Sequence, residues 1–159
     1  MSSPDEYVTH LPRINFAKEA SASYRAMVLA NKACEEGMDP ILAHLIKLRA
    51  SQLNGCGFCL DMHATHAREL GENERRIYAL PAWRELSFYT ARERAALALT
   101  EEGTLLAEGG VRDETWAEAE KQFSQAELAQ IIALIATINA WNRIAVISRN
   151  QPPALGGVR

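Results

Sequence analysis

The residues best suited to chemistry lie in one short stretch, residues 55–66, with the sequence GCGFCLDMHATH. It holds two of the three cysteines, Cys56 and Cys59, and two of the four histidines, His63 and His66. Two thiols three residues apart can close a disulfide, and a thiol and an imidazole four residues apart on a helix can exchange a proton. The stretch therefore indicates a redox-active dithiol.

A helix is predicted to present these four side chains together. Residues 60–70 are good helix formers, and Gly71 after them is typical of a helix end. On a regular helix, both cysteines and both histidines fall on one stripe about 80° wide. The partial positive charge of the helix N-terminus favours a thiolate over a thiol.

The preceding helix leads directly into this site. Asp39 and Pro40 are typical of a cap and a first helical position, and the helix is predicted over residues 41–53. His44 lies on it, and the pair Asn54-Gly55 ends it.

The rest of the chain also shows helical periodicity, and no strand-like alternation of useful length is present. Capping boxes at Thr90–Glu93 and Ser124–Glu127 predict two helix starts. The longest helix, residues 128–148, is apolar on nearly every side, so the domain or another subunit must cover it. We predict a single all-α domain of six to seven helices over residues 16–149, with an irregular lead-in at 1–15 and a loose tail at 150–159.

Composition argues against several classes of protein. A net charge of −3 provides no basic surface for nucleic acid, and an odd number of cysteines argues against a secreted disulfide scaffold. The N-terminus lacks the features of a signal peptide, and the longest apolar run, residues 131–136, is far below the roughly 18 residues of a membrane span. We expect a cytoplasmic protein without nucleic-acid or membrane partners.

Two kinds of chemistry fit the cysteines and histidines. Cys56 and His66 lie roughly 15 Å apart along a helix and cannot share a metal ion, but Cys56, Cys59 and His63 with His44 leave a metal site open. Thiol redox catalysis needs a low-pKa thiol, a proton donor and a resolving thiol. Cys59, His63 and Cys56 have the residue types for these three roles.

The run LRASQLNGCGFCLDMH at residues 48–63 resembles the core motif of the carboxymuconolactone decarboxylase/AhpD-like alkylhydroperoxidase family. Residues 78–83, 93–100 and 139–143 are also similar, so the resemblance covers most of the chain from about Tyr24. It implies an all-α AhpD-like fold assembled as a homotrimer or homohexamer.

The resemblance also implies an activity, the reduction of hydroperoxides to alcohols and water. Cys59 would attack the peroxide, and Cys56 would resolve the sulfenic acid to a disulfide. Cys56, nearer the surface, would take electrons from a dithiol donor such as a lipoylated protein. His63 would belong to the proton relay, and this thiol chemistry needs no cofactor or metal.

Two positions depart from the family's pattern. His44 stands where a relay Glu is usual, twelve residues before the first cysteine, and Phe58 stands where the best-known members have His. His44 can pass a proton but cannot supply negative charge. Two alternatives stay open. The first is a carboxymuconolactone decarboxylase-like enzyme acting on a carbon acid, although those enzymes usually lack the cysteine pair. The second is a non-enzymatic dithiol redox or metal-binding protein.

We expect the remaining candidate residues to have structural roles and not chemical ones. Cys34 is expected to be a small buried residue. His66 is expected either at the surface or in contact with the residues that form the site. Nothing in the sequence around His10 indicates a function. The segment 141–143 is assigned to packing, although a place in the pocket stays open, and Glu35 is expected to be solvated.

Overall fold

The computed structural model describes residues 8–155, and this range contains eight α-helices, two short 3-10 segments and no strand. The helices are α1 (Phe16–Glu19), α2 (Ser21–Glu35), α3 (Pro40–Asn54), α4 (Gly57–Glu69), α5 (Glu74–Ala79), α6 (Ala91–Thr104), α7 (Asp113–Gln122) and α8 (Gln125–Ser148). The 3-10 segments are Leu80–Glu85 and Leu106–Glu108. The all-α prediction is confirmed, with one helix more than the upper expected number in the described range.

The additional helix arises from a break near the start of the domain. Ala20, with φ −119° and ψ 48°, separates α1 from α2, and Asn15 caps α1 by accepting a hydrogen bond from the Lys18 N–H at 3.1 Å. Because no glycine or proline marks this break, the sequence pattern runs through it as one helix.

The ends of α3 and α4 follow the predicted signals. Asp39 caps α3 by accepting from the Leu42 N–H at 2.9 Å, and Pro40 is the first helical residue. Gly55 ends α3 with φ 65°, a left-handed conformation that glycine adopts without a Cβ clash. This tight turn leaves only Gly55 and Cys56 between α3 and α4, so the first helix sets the position of the second.

The two predicted capping boxes are present. The Thr90 hydroxyl accepts from the Glu93 N–H while the Glu93 carboxylate accepts from the Thr90 N–H, and Ser124 and Glu127 make the same exchange at the start of α8. These reciprocal bonds satisfy backbone donors that would otherwise lack partners at the two helix starts.

Helix α3 lies at the centre of the fold and packs against α4, α6 and α8. One buried cluster, which includes Ile46, Leu99 and Leu134, joins α3 to α6 and α8, and a second, which includes Leu48, Leu80 and Trp83, joins it to the 80–85 segment. Because both clusters use α3, the residues of this helix are held in place from several sides.

Helix α8 is long and apolar enough to cross a membrane by length and composition, a test that the core helix of a globular domain also passes. Here it packs against α2, α3, α4, α6 and α7. Three of its apolar side chains stay exposed: Ile132 at 49%, Val146 at 46% and Ile147 at 68%.

The predicted lead-in and tail extend beyond the described residues at both ends. Within the described part, residues 8–15 and 150–155 contain no helix. Arg13 ties the lead-in to the end of α8, because its backbone N–H donates to the Ser148 carbonyl at 2.8 Å and its guanidinium donates to the Ile147 carbonyl at 2.9 Å.

Candidate active site

Cys56 and Cys59 form a disulfide at the start of α4, with their Cα atoms 5.4 Å apart. Cys56 is the N-cap residue, and its Sγ accepts a hydrogen bond from the Cys59 N–H at 3.3 Å. The predicted dithiol at the first turn of a helix is therefore present, with Cys56 just outside the helix and Cys59 in its first turn.

The two sulfur-bearing residues are equally buried in this disulfide state. Cys56 is 1% exposed and Cys59 is 2% exposed. The expectation that Cys56 lies nearer the surface is therefore wrong for this state, because Ala145 of α8 and Phe58 pack over the pair.

His63 follows Cys59 by one helical turn and is only 6% exposed. Its Nδ1 atom has no hydrogen-bond partner among the described residues. Burial lowers the pKa of His63 to about 3, with further lowering from the positive charge of Lys47 and from His44 and His66. The imidazole is therefore neutral at neutral pH and can accept a proton.

His44 is brought to this site from α3, as its place in the sequence suggested. Its ring centroid lies 5.5 Å from that of His63 and 5.9 Å from that of the exposed His66. Burial lowers the pKa of His44, and His66 lowers it further. The Nδ1 atom of His44 also has no partner within the described range, so no carboxylate accepts from the Nδ1 of either ring there.

A cavity of about 260 Å³, here called the Cys59 cavity, opens beside the second cysteine and the histidine. Three helices, α2, α4 and α8, supply most of its wall. Aromatic and aliphatic side chains dominate this wall, and the polar ones are amides, the histidine and the cysteine. The lining residues are Tyr24, Val28, Asn31, Phe58, Cys59, Met62, His63, Trp141, Ile144, Ala145 and Asn150.

The sequence assigned the segment 141–143 to packing, but Trp141 and Asn142 have different roles in the structure. Trp141 lines the Cys59 cavity, where its ring meets that of Tyr24 edge-on at 5.6 Å. Asn142 is buried and donates to the Ser51 hydroxyl at 3.0 Å, which ties α8 to α3. The packing assignment is confirmed for Asn142, whereas Trp141 also belongs to the cavity wall.

A second cavity of about 390 Å³, here called the Cys56 cavity, reaches the first cysteine from the end of α8. Gly55 and Gly57 flank Cys56 there, and a Cβ at either glycine would meet no atom within 4 Å. Arg149, in a left-handed conformation at the end of α8, also lines this cavity. The two sulfurs thus border two different openings.

Sequence reasoning missed a buried ion pair near the site. Lys47 of α3 is 3% exposed and pairs with Glu35 at the end of α2, so the expectation that Glu35 is merely solvated is wrong. Lys47 follows His44 by three residues, and this shared helix face is the signal that could have indicated it. Cys34, buried as expected, lies 3.5 Å from the Thr137 hydroxyl.

The four residues of the open metal interpretation do not form a ligand set here. No group of three or more His, Cys, Asp or Glu residues within residues 8–155 is placed to hold a metal ion. Both sulfurs of that proposed set are joined in the disulfide, and the rings of His44 and His63 lie 5.5 Å apart at an interplanar angle of 50°.

Comparison with known proteins identifies the family of this chain. The family model described as "Carboxymuconolactone decarboxylase family" matches residues 18–102. The uncharacterised protein YdfG of Bacillus subtilis (strain 168) is 36% identical over 140 residues, which cover 87% of this chain and 95% of that protein. The chain therefore belongs to the carboxymuconolactone decarboxylase family.

Solved structures of similar proteins share its helical architecture. A protein of unknown function from Agrobacterium tumefaciens, described as a candidate antioxidant defence protein AhpD, is 39% identical with a TM-score of 0.88, and the match covers 91% of this chain and 99% of that one. An uncharacterised peroxidase-related protein from Silicibacter sp. TM1040 is 20% identical with a TM-score of 0.74, covering 87% and 73%. The first of these supports an AhpD-like member of the family, and the second shows the fold.

Proposed function

We propose that this protein is a thiol-dependent alkyl hydroperoxide reductase that uses the Cys56–Cys59 pair with His63 as its proton carrier. One observation carries the proposal: the disulfide-bonded Cys59 and the neutral His63 share the wall of the same apolar cavity. The similarity to a candidate antioxidant protein AhpD agrees with it.

In the first step, Cys59 attacks the peroxide. The neutral His63 accepts the thiol proton, and the resulting thiolate attacks the terminal oxygen of the hydroperoxide. The O–O bond breaks, the alkoxide takes the proton from the imidazolium and leaves as an alcohol, and Cys59 becomes a sulfenic acid. Burial and the nearby positive charges favour neutral His63 before this step.

In the second step, Cys56 resolves the sulfenic acid. Its sulfur attacks that of Cys59, and the hydroxyl group leaves as water once it receives the Cys56 proton. The balance is one hydroperoxide and two thiols converted to one alcohol, one water and one disulfide. A Cα separation of 5.4 Å lies within the usual range for this bond.

The cavity wall favours a neutral, apolar substrate. Tyr24, Phe58 and Trp141 provide aromatic surface, and no lysine, arginine or carboxylate is among the lining residues. Burial of an aromatic or aliphatic group gains free energy that hydrogen peroxide cannot obtain. We therefore favour bulky organic hydroperoxides as the substrates.

A dithiol donor, such as a lipoylated protein, completes the cycle. A donor thiolate attacks one sulfur of the disulfide, and the second donor thiol then releases the mixed disulfide, which leaves both cysteines reduced and the donor oxidised. The Cys56 cavity supports entry of a slim donor group there, because the flanking glycines carry no side chains. A reducing compartment suits such a pair, so we place the protein in the cytoplasm.

We further propose a homo-oligomer, as a trimer or hexamer. Several apolar side chains on α2 and α8 are exposed to solvent, including Leu29 at 67% and Ile147 at 68% exposure. Exposed apolar patches are typical of protein interfaces. Light scattering coupled to size-exclusion chromatography measures the state directly.

The central experiment treats the reduced protein with one equivalent of cumene hydroperoxide and follows free thiols, intact mass and the alcohol product. The wild type should lose two thiols and the mass of two hydrogens, with one equivalent of alcohol formed. Cys59→Ser should form no alcohol, and Cys34→Ser, changed at a buried cysteine outside the pair, should behave as wild type. Persistent thiols in the wild type would reject the proposal in favour of a decarboxylase-like enzyme or a redox or metal-binding protein.

A further inference from the structure

Lys47 is a buried cation that the proposed reaction does not use. Its side chain is 4% exposed, and it lies on α3, the central helix of the fold. A buried ammonium is costly unless an anion pairs with it. Glu35 provides that anion from the end of α2, where its own side chain remains 36% exposed.

This ion pair connects to the wall of the Cys59 cavity. The Glu35 carboxylate oxygen that pairs with Lys47 also accepts a hydrogen bond from the Asn31 side-chain amide at 3.0 Å. Asn31 lines the same cavity as Cys59 and His63. The ammonium is therefore two polar contacts from the cavity, behind the wall formed by α2.

The position of Lys47 on α3 gives a second connection to the site. It lies one turn after His44, whose ring is 5.5 Å from that of His63. Residues three apart on a helix share a face, so the ammonium approaches the site from the side of α3 as well. The charge is thus held between α2, α3 and α4.

We propose that Lys47, held in place by Glu35, is a positioning residue whose buried positive charge favours the thiolate form of Cys59 in the reduced protein. A fixed cation lowers the pKa of a nearby thiol, and a dry surrounding strengthens its effect. The same charge disfavours protonation of His63. Lys47 thus provides a positive charge that stabilises the Cys59 thiolate, which the neutral His63 cannot do. Its value for catalysis rests on the proposed peroxidase function, but its effect on thiol acidity does not.

Few other ionisable groups face this ammonium. On α6, which packs against α3, Glu101 is bound to Arg49 at 2.8 Å, and on α8 the uncharged Thr137 and Asn142 contact Cys34 and Ser51. The ionisable groups that interact with Lys47 are Cys34 and Glu35 on α2 and His63 on α4. Burial lowers the pKa of Lys47 to about 8, so its charge is present at pH 7 and is lost as the pH rises above 8.

The test measures the acidity of Cys59 without any peroxide. In a Cys34→Ser/Cys56→Ser background, Cys59 is the single thiol, and its rate of alkylation by iodoacetamide between pH 5 and 10 gives its pKa. Lys47→Met should raise this pKa by about one unit, which is a roughly tenfold slower reaction at pH 6. Lys47→Arg should keep the wild-type rate, and so should Lys121→Met, which removes an exposed ion pair on α7.

A second variant keeps the test decisive if Lys47→Met fails to fold. Lys47→Gln also removes the positive charge but keeps a polar group against Glu35, and it should slow alkylation at pH 6 as Lys47→Met does. An unchanged pKa of Cys59 in a folded Lys47→Met or Lys47→Gln protein would overturn the proposal, as would an Arg variant as slow as the Met variant. If the Cys34→Ser/Cys56→Ser proteins alkylate as expected but the wild type does not reduce cumene hydroperoxide, the peroxidase function is rejected and the role of Lys47 stands.

Discussion

The N–H of Cys59 donates to the Sγ of Cys56 at 3.3 Å, so the sulfur of one cysteine caps the helix that carries the other. We expect a thiolate at Cys56 to keep this contact after reduction and to be stabilised by the helix dipole. Cys59, by contrast, faces the apolar cavity beside His63. The helix start thus stabilises the resolving sulfur, while the cavity and the histidine serve the attacking sulfur.

This capping contact predicts an order of stability among variants of Cys56. Serine can accept the same hydrogen bond and alanine cannot, so Cys56→Ala should be less stable than Cys56→Ser by about 1 kcal/mol. Urea denaturation under reducing conditions measures the difference, because the disulfide then contributes to neither protein. Equal stabilities would show that the sulfur does not act as a cap.

The buried state of His63 predicts a loss of stability in acid. Its pKa is lowered from 6.5 to about 3 in the folded protein, so between these pH values the unfolded chain binds a proton that the folded chain does not. Its contribution to stability is therefore complete above pH 6.5 and decreases as the pH falls toward 3, by up to about 1.4 kcal/mol per pH unit.

Urea denaturation at pH 7, 6 and 5 tests this contribution. His63→Gln should show a smaller decrease in the free energy of unfolding than the wild type. His10→Gln, at an exposed position in the lead-in, is the matched control and should follow the wild type. The same slope in all three proteins would contradict the buried neutral state of His63.

The neutral His63 also predicts a kinetic effect. His63→Ala should slow oxidation of Cys59 by cumene hydroperoxide about a hundredfold, the scale of general acid–base catalysis. The Cys56–Cys59 disulfide should still form with a chemical oxidant such as diamide, because the Cα separation does not depend on the imidazole. Stopped-flow measurement of the reduced protein checks the rate, and an unchanged rate would remove His63 from the mechanism.

The aromatic wall of the Cys59 cavity predicts substrate selectivity. Trp141→Ala removes apolar surface beside Tyr24, so KM for cumene hydroperoxide should rise about tenfold, which is a loss of about 1.4 kcal/mol. KM for hydrogen peroxide should change little, since this substrate has no apolar group to bury. Steady-state kinetics with both peroxides and an artificial dithiol donor make the comparison. A parallel change for both substrates would show that Trp141 supports the fold and not selectivity.

Much of the fold could be predicted from local signals. Asp39 before Pro40, Gly55 after α3 and the capping boxes at Thr90 and Ser124 act within a few residues, so the sequence alone contains them. The break at Ala20 could not be predicted in this way, because no local signal produces it.

The site was predictable only where its residues are close in sequence. Spacing alone places Cys59 and His63 one turn apart on α4, with Cys56 as the residue that caps this helix. The burial of Lys47 and its pairing with Glu35 depend on how α2 packs against α3, which spacing within one helix does not specify. Trp141 likewise reaches the cavity because α8 passes beside α4.

His44 provides the last prediction, because it stands where the resemblance places a relay carboxylate. The two rings are 5.5 Å apart, so a carboxylate at position 44 would lie beside His63 and raise its pKa. His44→Glu should therefore make His63 a stronger base and speed oxidation of Cys59 about tenfold at pH 7. His44→Gln is the control that removes the imidazole without adding charge. Stopped-flow rates with cumene hydroperoxide compare the two, and a Glu variant slower than the Gln variant would show that this site cannot use a carboxylate at position 44.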